Sequence, residues 1–168
     1  MEEKIVVLDR GNLEFLYPKA WKMEGSRDGY LVFTDPKESS RLEITYTSLL
    51  QEMKQLSPEL LLKQLIKNVP EASANEKIYT ISNGTVNFAW LDYAYPSTNK
   101  HTGNEAEAHG RWLLGSNGLF QLLMTFYYWI DDSPWAVPAW ERILETIQLG
   151  DGSQLQSPKE HWSLRDKN

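Results

Sequence analysis

Glu105, Glu107 and His109 stand at alternating positions in the stretch "EAEAHG" (105–110). On an extended strand, residues of the same parity share a face and lie about 6.5 Å apart. These three therefore offer two carboxylates and an imidazole to one surface. Such a set could begin a metal site, with His101 reaching in from a neighbouring loop, or supply general acid and base groups. The chain has three histidines, none in a helical HxxH-type pair, so a solvated polar strand face is the plainer account. No metal and no other cofactor is expected. Asp131-Asp132 is a second carboxylate pair, and neighbouring carboxylates can split their pKa values for acid–base work. Their place just ahead of a helix explains them more simply, because acidic side chains there cap the helix and favour its positive end. Ser57 and Ser133 likewise precede prolines at helix starts, outside any GxSxG elbow. There is no GxGxxG and no P-loop, and "GSNG" (115–118) reads as a hairpin turn, so nucleotide chemistry has no support.

The aromatic residues pose a separate question. "FYYWIDDSPWAVPAW" (126–140) holds six rings, two aspartates and two prolines. Rings beside carboxylates suit a cation, a sugar or a basic peptide. The same residues also suit a strand handing over to a packed helix.

The elements that would position these groups follow from periodicity and turn chemistry. Ile5 to Leu8 and "LEFLYP" (13–18) read as two strands, and Tyr30 to Thr34 as a third, closed by Asp35-Pro36. Arg41 to Leu49 alternates, with Leu42, Ile44 and Tyr46 on one side. "SPELLLKQLIKNV" (57–69) is a helix capped by Ser57, with Pro58 at its first position and Pro70 as its stop. From Lys77 the chain reads as a four-strand meander. A two-residue turn at Asn83-Gly84 pairs Ile81 with Val86 and Tyr79 with Phe88. A longer polar link (Pro96 to Asn104) pairs Tyr95 with Glu105 and Trp90 with Gly110. A three-residue loop with Gly118 left-handed pairs Leu114 with Phe120, Trp112 with Leu122, Gly110 with Met124 and Ala108 with Phe126, large residues against small. An irregular turn over Pro134 to Val137 then leads into a helix from Pro138, with Val137, Trp140, Ile143, Leu144 and Ile147 on its apolar side.

In this pairing Tyr93, Tyr95, Glu105, Glu107, His109, Tyr127 and Trp129 share one sheet face, near the polar link and Asp131-Asp132. Phe126, Tyr128 and Ile130 point to the core, opposite Ala106 and Ala108. The shared face is either an acidic, aromatic-lined cleft or the underside of a covering helix. The deciding relationship is whether the Pro138 to Leu149 helix lies on the face of Trp129.

Composition narrows the classes. The 168 residues suffice for one domain that buries roughly 70% of its unfolded surface, expected over 1–149 with a polar tail from 150 to 168. There is no cysteine, which excludes disulfides, thiolate metal sites and thiol catalysis. The net charge is −6, and lysine and arginine are scattered rather than clustered, against nucleic acid as a partner. No stretch reaches the roughly 20 apolar residues of a membrane helix, and the acidic start lacks the features of a secretory signal. A cytoplasmic protein is expected.

"LEFLYPKAW" near the start, with Phe15, Tyr17, Pro18 and Trp21 in an F.YP..W pattern, and "GLFQLLMTFYYW…WERILETIQL" near the end resemble the Mog/PsbP-like proteins. That group includes the photosystem extrinsic protein PsbP, the Ran-binding factor Mog and many small bacterial proteins. The resemblance implies an α+β fold, a mostly antiparallel sheet flanked by helices on both sides (an α/β/α sandwich), used for binding rather than catalysis. It assigns no metal-ligating or Ran-contacting residue to this chain. The expectation is a non-enzymatic protein-interaction module with a protein partner. A small-ligand binder using the Tyr93, Tyr95, Tyr127 and Trp129 face is the alternative, and a hydrolase using Glu105, Glu107 or His109 ranks behind both.

Overall fold

A computed structural model describes residues 2–8, 11–25, 29–49, 56–74, 77–83, 86–98 and 103–150. Its centre is a seven-stranded antiparallel sheet in the order β3-β4-β5-β9-β8-β7-β6. The strands are β3 (Lys22–Gly25), β4 (Tyr30–Thr34), β5 (Arg41–Ser48), β6 (Tyr79–Asn83), β7 (Val86–Thr98), β8 (Glu105–Ser116) and β9 (Phe120–Trp129). Before them come β1 (Glu3–Leu8) and β2 (Leu13–Pro18), which pair with each other and with the two-residue β10 (Gln148–Leu149) in a small second sheet. Among the described residues three α-helices complete the fold: α1 (Pro58–Leu65), α2 (Pro70–Ala74) and α3 (Ser133–Thr146).

One face of the large sheet is covered by α3 and the small sheet, and the other by α1 and α2 over β7 and β8, where the strands alternate two sets of apolar side chains. On that second face β5 leaves Arg41, Thr45 and Thr47 exposed. One set, with Leu42, Ile44, Phe88, Leu113, Met124, Phe126 and Tyr128, packs against α3 and the small sheet through Trp140, Ile143, Phe15 and Tyr17. The aromatic residues of the F.YP..W stretch are thus core: Phe15, Tyr17 and Trp21 are all buried. The other set, Ala89, Leu91, Tyr93 and Leu114, lies under Leu61 and Leu62 of α1, Ile66, and Ala72 of α2. The layer opposite α1 therefore contains a β-sheet as well as a helix.

Ser57 accepts a hydrogen bond from the Leu60 amide (3.3 Å) and caps α1, with Pro58 at the first turn. Pro70 does not stop the helical path as expected. After a single 3₁₀ turn (Ile66–Asn68) it opens α2, since its fixed φ and missing N–H suit a first helical turn.

α3 also departs from expectation, running unbroken from Ser133 through Pro138. The carbonyl that loses its partner there belongs to Pro134, and both prolines face solvent, where water can replace the missing bond. Asp132 stands at the N-cap position without a side-chain capping bond, so of the two expected roles only its charge near the helix start remains. The Ser133 hydroxyl donates to the Ile130 carbonyl (2.6 Å). Ile130, expected in the core, is 39% exposed because the chain turns at Ile130–Asp132.

Three hairpin registers differ from those the sequence suggested. β6 and β7 pair Ile81 with Phe88 and Tyr79 with Trp90, a two-residue shift that keeps the same faces together. Gly84 lies outside the described residues. β7 and β8 pair Tyr95 with Ala108 and Tyr93 with Gly110, and β8 and β9 pair Gly110 with Tyr127 and Ala108 with Trp129. Each of these is a three-residue shift, and an odd shift exchanges faces. At the β8–β9 turn Gly118 has φ +82, but the ladder closes with Ser116 opposite Gln121, so the turn is centred further along the chain than expected. The Asn117 side chain accepts from the Leu119 and Phe120 amides and tightens it.

Candidate functional site

The corrected registers divide the seven expected site residues between two faces. Tyr93, Tyr95, Tyr127 and Trp129 remain together, because the two odd shifts cancel between β7 and β9. Glu105, Glu107 and His109 move to the opposite face, where their neighbours are Asp92, Arg111 and Tyr128. His101 lies outside the described residues.

The aromatic group sits on the α1–α2 side, not under α3. Tyr93 is buried at 6% exposure, and Tyr95, Trp112 and Tyr127 pack half-buried against the same cluster. The Trp112 indole donates to the Tyr127 phenol (3.1 Å), and the rings of Tyr93 and Tyr95 are 5.7 Å apart. Burial raises the Tyr93 phenol far above its ordinary pKa, helped by the neighbouring Tyr127. Tyr95 is raised by burial, then by Tyr127 and Glu71. Most of this group is thus the floor beneath α1 and α2. Trp129, further along β9, is half-buried.

On the α3 side a strip of charge crosses the sheet. Arg111 Nε donates to Asp92 Oδ2 (2.8 Å), His109 Nδ1 is 3.0 Å from Asp92 Oδ1, and His109 Nε2 is 3.3 Å from Glu107 Oε1. The imidazole stacks on the Tyr128 ring (centroids 5.3 Å apart), and the Arg111 guanidinium lies 5.4 Å from that ring and 5.8 Å from Trp90. Burial pushes the Tyr128 phenol up to about 12, against the pull of Arg111. Both ring nitrogens of His109 face carboxylates, and among the described residues no serine or threonine hydroxyl is hydrogen-bonded to it as a nucleophile would be to its base. Among the described residues no group of three or more His, Asp or Glu is arranged to hold a metal.

Asp92, Arg111 and Tyr128 were missed as members of this strip. The signal was the opposite charge of Asp92 and Arg111, a directly paired cross-strand couple, legible only once the register is known.

Beyond Arg111 the strip runs out onto an exposed arm. β9 leaves the sheet at Trp129, opposite Ala108, while β7 and β8 continue as far as the pair Thr98 and Glu105. Among the described residues, Glu105 to Glu107 thus pair with β7 alone. Ala94, Pro96, Glu105 and Glu107 are exposed here. Together with Tyr95 and Ala106 they line an open groove of about 370 Å³. Asp131, also exposed, follows the end of β9.

The model of the Alr1449 family matches residues 4–152. The chain belongs to the Alr1449 family. A relative from Nostoc sp. (strain PCC 7120), the uncharacterized protein alr1449, is 25% identical over 155 residues, covering 88% of this chain and 77% of its own length. Among solved structures, a protein of Bacteroides thetaiotaomicron VPI-5482 superposes with a TM-score of 0.62 at 14% identity over 89% of the chain, which spans about half (49%) of that protein. Cyanobacterial PsbP (CyanoP) of Synechocystis sp. PCC 6803 gives 0.59 at 12% identity, covering 87% and 91% of the two chains. The Ran-binding protein Mog1p of Saccharomyces cerevisiae gives 0.54 at 10%, covering 92% and 98%. At these identities the likeness shows the fold alone: this Alr1449-family protein has the Mog/PsbP-like fold. Among its described residues no helix is long and apolar enough to cross a membrane.

Proposed function

We propose that this Alr1449-family protein is a non-catalytic protein-interaction module, and that the projecting β7–β8 arm is its contact surface. The observation that carries the reading is the arm itself: two strands outrun their neighbour β9 and end in an open groove with exposed carboxylates. The α1–α2 layer covers β7 and β8, so the Trp129 end of the aromatic face contributes only its margin to the surface. Further support comes from a structural neighbour whose name describes binding to another protein, Ran-binding Mog1p. Among the described residues no serine or threonine hydroxyl bonds to His109, and the Glu107–His109–Asp92–Arg111 strip serves to stiffen the base of the arm.

A second reading, a small-ligand binder, is favoured by the groove volume of about 370 Å³, within the usual range for ligand pockets. The groove is open rather than enclosing, whereas ligand pockets surround most of their occupant. A protein surface fits that shape better.

A photo-crosslinking residue at Ala94 or Pro96, both exposed on the arm, tests the reading in cells of the native host. A discrete adduct is expected from the arm and not from Leu119, exposed in the β8–β9 turn at the other end of these strands. Absence of an adduct from either arm position, or equal labelling from Leu119, would overturn it.

A further inference from the structure

The free edge of the arm specifies what kind of chain would dock there. We propose that Glu105–Glu107 of β8 adds an extended basic segment of the partner as an extra strand, in a basic–apolar–basic pattern; this rests on the arm being the contact surface. A strand without a neighbour is a template for pairing, usually guarded by lysine, proline or a bulge. Here β8 runs on for three residues past the end of β9. The Ile130–Asp132 turn lies beside it, but among the described residues no strand is paired to that edge, and the guards are Glu105 and Glu107. These two side chains share the α3-side face, about 6.5 Å apart along the strand, which matches residues i and i+2 of an incoming strand.

Among the described residues the charge of the arm is one-sided; Lys100, in the link between its strands, lies outside them. The described residues of the arm, 94–98 and 103–108, include no lysine or arginine. Arg111 at its base is buried and bonded to Asp92, and exposed Asp131 adds negative charge beside the opening. An acidic strand would be repelled, and a basic one attracted. Ala106 lies between the glutamates on the other face, in line with Ala108 and its partner Trp129. A small side chain there leaves room beside Trp129 for one apolar residue of the incoming strand. Main-chain pairing would supply affinity, and the alternating side chains specificity.

The test uses the full chain and a fluorescent peptide, Thr-Lys-Val-Lys-Thr, followed by anisotropy. Comparison peptides carry glutamate for lysine, the same residues with the lysines adjacent, or N-methyl groups on the valine or on both lysines. The alternating basic peptide is expected to bind more tightly than the glutamate and adjacent-lysine forms. One of the two N-methylated forms should lose binding, whichever places its methyl group toward β8. The double variant E105Q/E107Q should weaken binding about tenfold, as two exposed ion pairs allow, and added salt should weaken it further. Unchanged affinity in E105Q/E107Q overturns the proposal, as does full binding by both N-methylated peptides. A dimer in light scattering that E105Q/E107Q dissolves also overturns it, because the occupant would then be a second copy of this chain. If the peptide fails to bind while the crosslinker at Ala94 or Pro96 still captures a partner, the basic-strand inference falls and the interaction reading stands. If neither occurs, both fall.

Discussion

The ring of Tyr93 on β7 lies over the backbone of Gly110, its cross-strand partner on β8: a Cβ added at Gly110 would come 2.6 Å from Tyr93 Oη and 2.7 Å from Cε1. The same arrangement recurs five residues on, where a Cβ at Gly115 would sit 2.5 Å from Phe88 Cε1. The two rings point to opposite faces, into the two cores. Each glycine lets an aromatic side chain cross the neighbouring strand at close range.

Gly110→Ala is therefore expected to destabilise the protein by about 1–3 kcal/mol, the usual cost of overpacking a filled core. The Tyr93 ring is 6% exposed and held between sheet and helix, so it has no free space to retreat into. Urea unfolding followed by circular dichroism would show the lower midpoint. An unchanged midpoint would mean that the ring can tilt away, contrary to this packing.

Arg111→Met should cost about 1–3 kcal/mol, by removing a charged partner from Asp92 in a largely buried setting. The figure is reduced from that of a fully buried pair because the Asp92 side chain is 27% exposed. A double-mutant cycle with Asp92→Asn checks the pairing. The double variant should be more stable than the sum of the single losses predicts, by ~1 kcal/mol.

Alkaline pH should unfold the protein through its buried phenols. Burial raises Tyr93, Tyr95 and Tyr128 above the value of about 10 expected for an unfolded chain, Tyr128 to about 12. Stability from these groups is fully present below pH 10 and is lost as pH rises toward and through their folded values, because the unfolded chain releases its protons first. Urea midpoints between pH 9 and 12 should fall steadily, and Tyr128→Phe should flatten part of that fall. A flat profile in the parent protein would contradict the buried phenols.

Asn83→Ala should loosen the end of α3. The Asn83 amide donates to the Ile147 carbonyl (2.6 Å) and approaches that of Leu144 (3.4 Å), groups that have no partner within the helix. The expected cost is about 1 kcal/mol. Hydrogen exchange should quicken first at the Ile147 amide, which bonds to the Ile143 carbonyl.

The sequence revealed strands and faces more readily than registers. Leu42, Ile44 and Tyr46 announced the buried side of β5, Phe126 and Tyr128 that of β9, and Ser57 the start of α1, because each signal is local. Register depends on how many residues a turn consumes. Gly118 does adopt a positive φ, but the Asn117 side chain accepts from the Leu119 and Phe120 amides and the strands close with Ser116 opposite Gln121. Polar residues alone do not reveal such a bond. Matching large residues with small ones also failed to discriminate. Gly110 accommodates Tyr93 as well as it would the expected Trp90, so two registers of opposite parity satisfied the same rule. The cost fell on the candidate site: one odd shift carried Glu105, Glu107 and His109 away from the tyrosines and onto the face of Asp92 and Arg111.

The strand order holds a consequence for how the chain reaches its structure. β3, β4 and β5 form one local meander, and β6 to β9 another, while β5 joins β9 across the whole intervening sequence. On a ribosome that seam stays open until β9 has emerged. Until then β5 presents Leu42, Ile44 and Tyr46 beside an unpaired edge, a state open to mispairing with other nascent chains. The halves of the sheet are each quick to form, and their union is the slow, long-range step. The last long strand to be made is the one that turns two meanders into a single sheet.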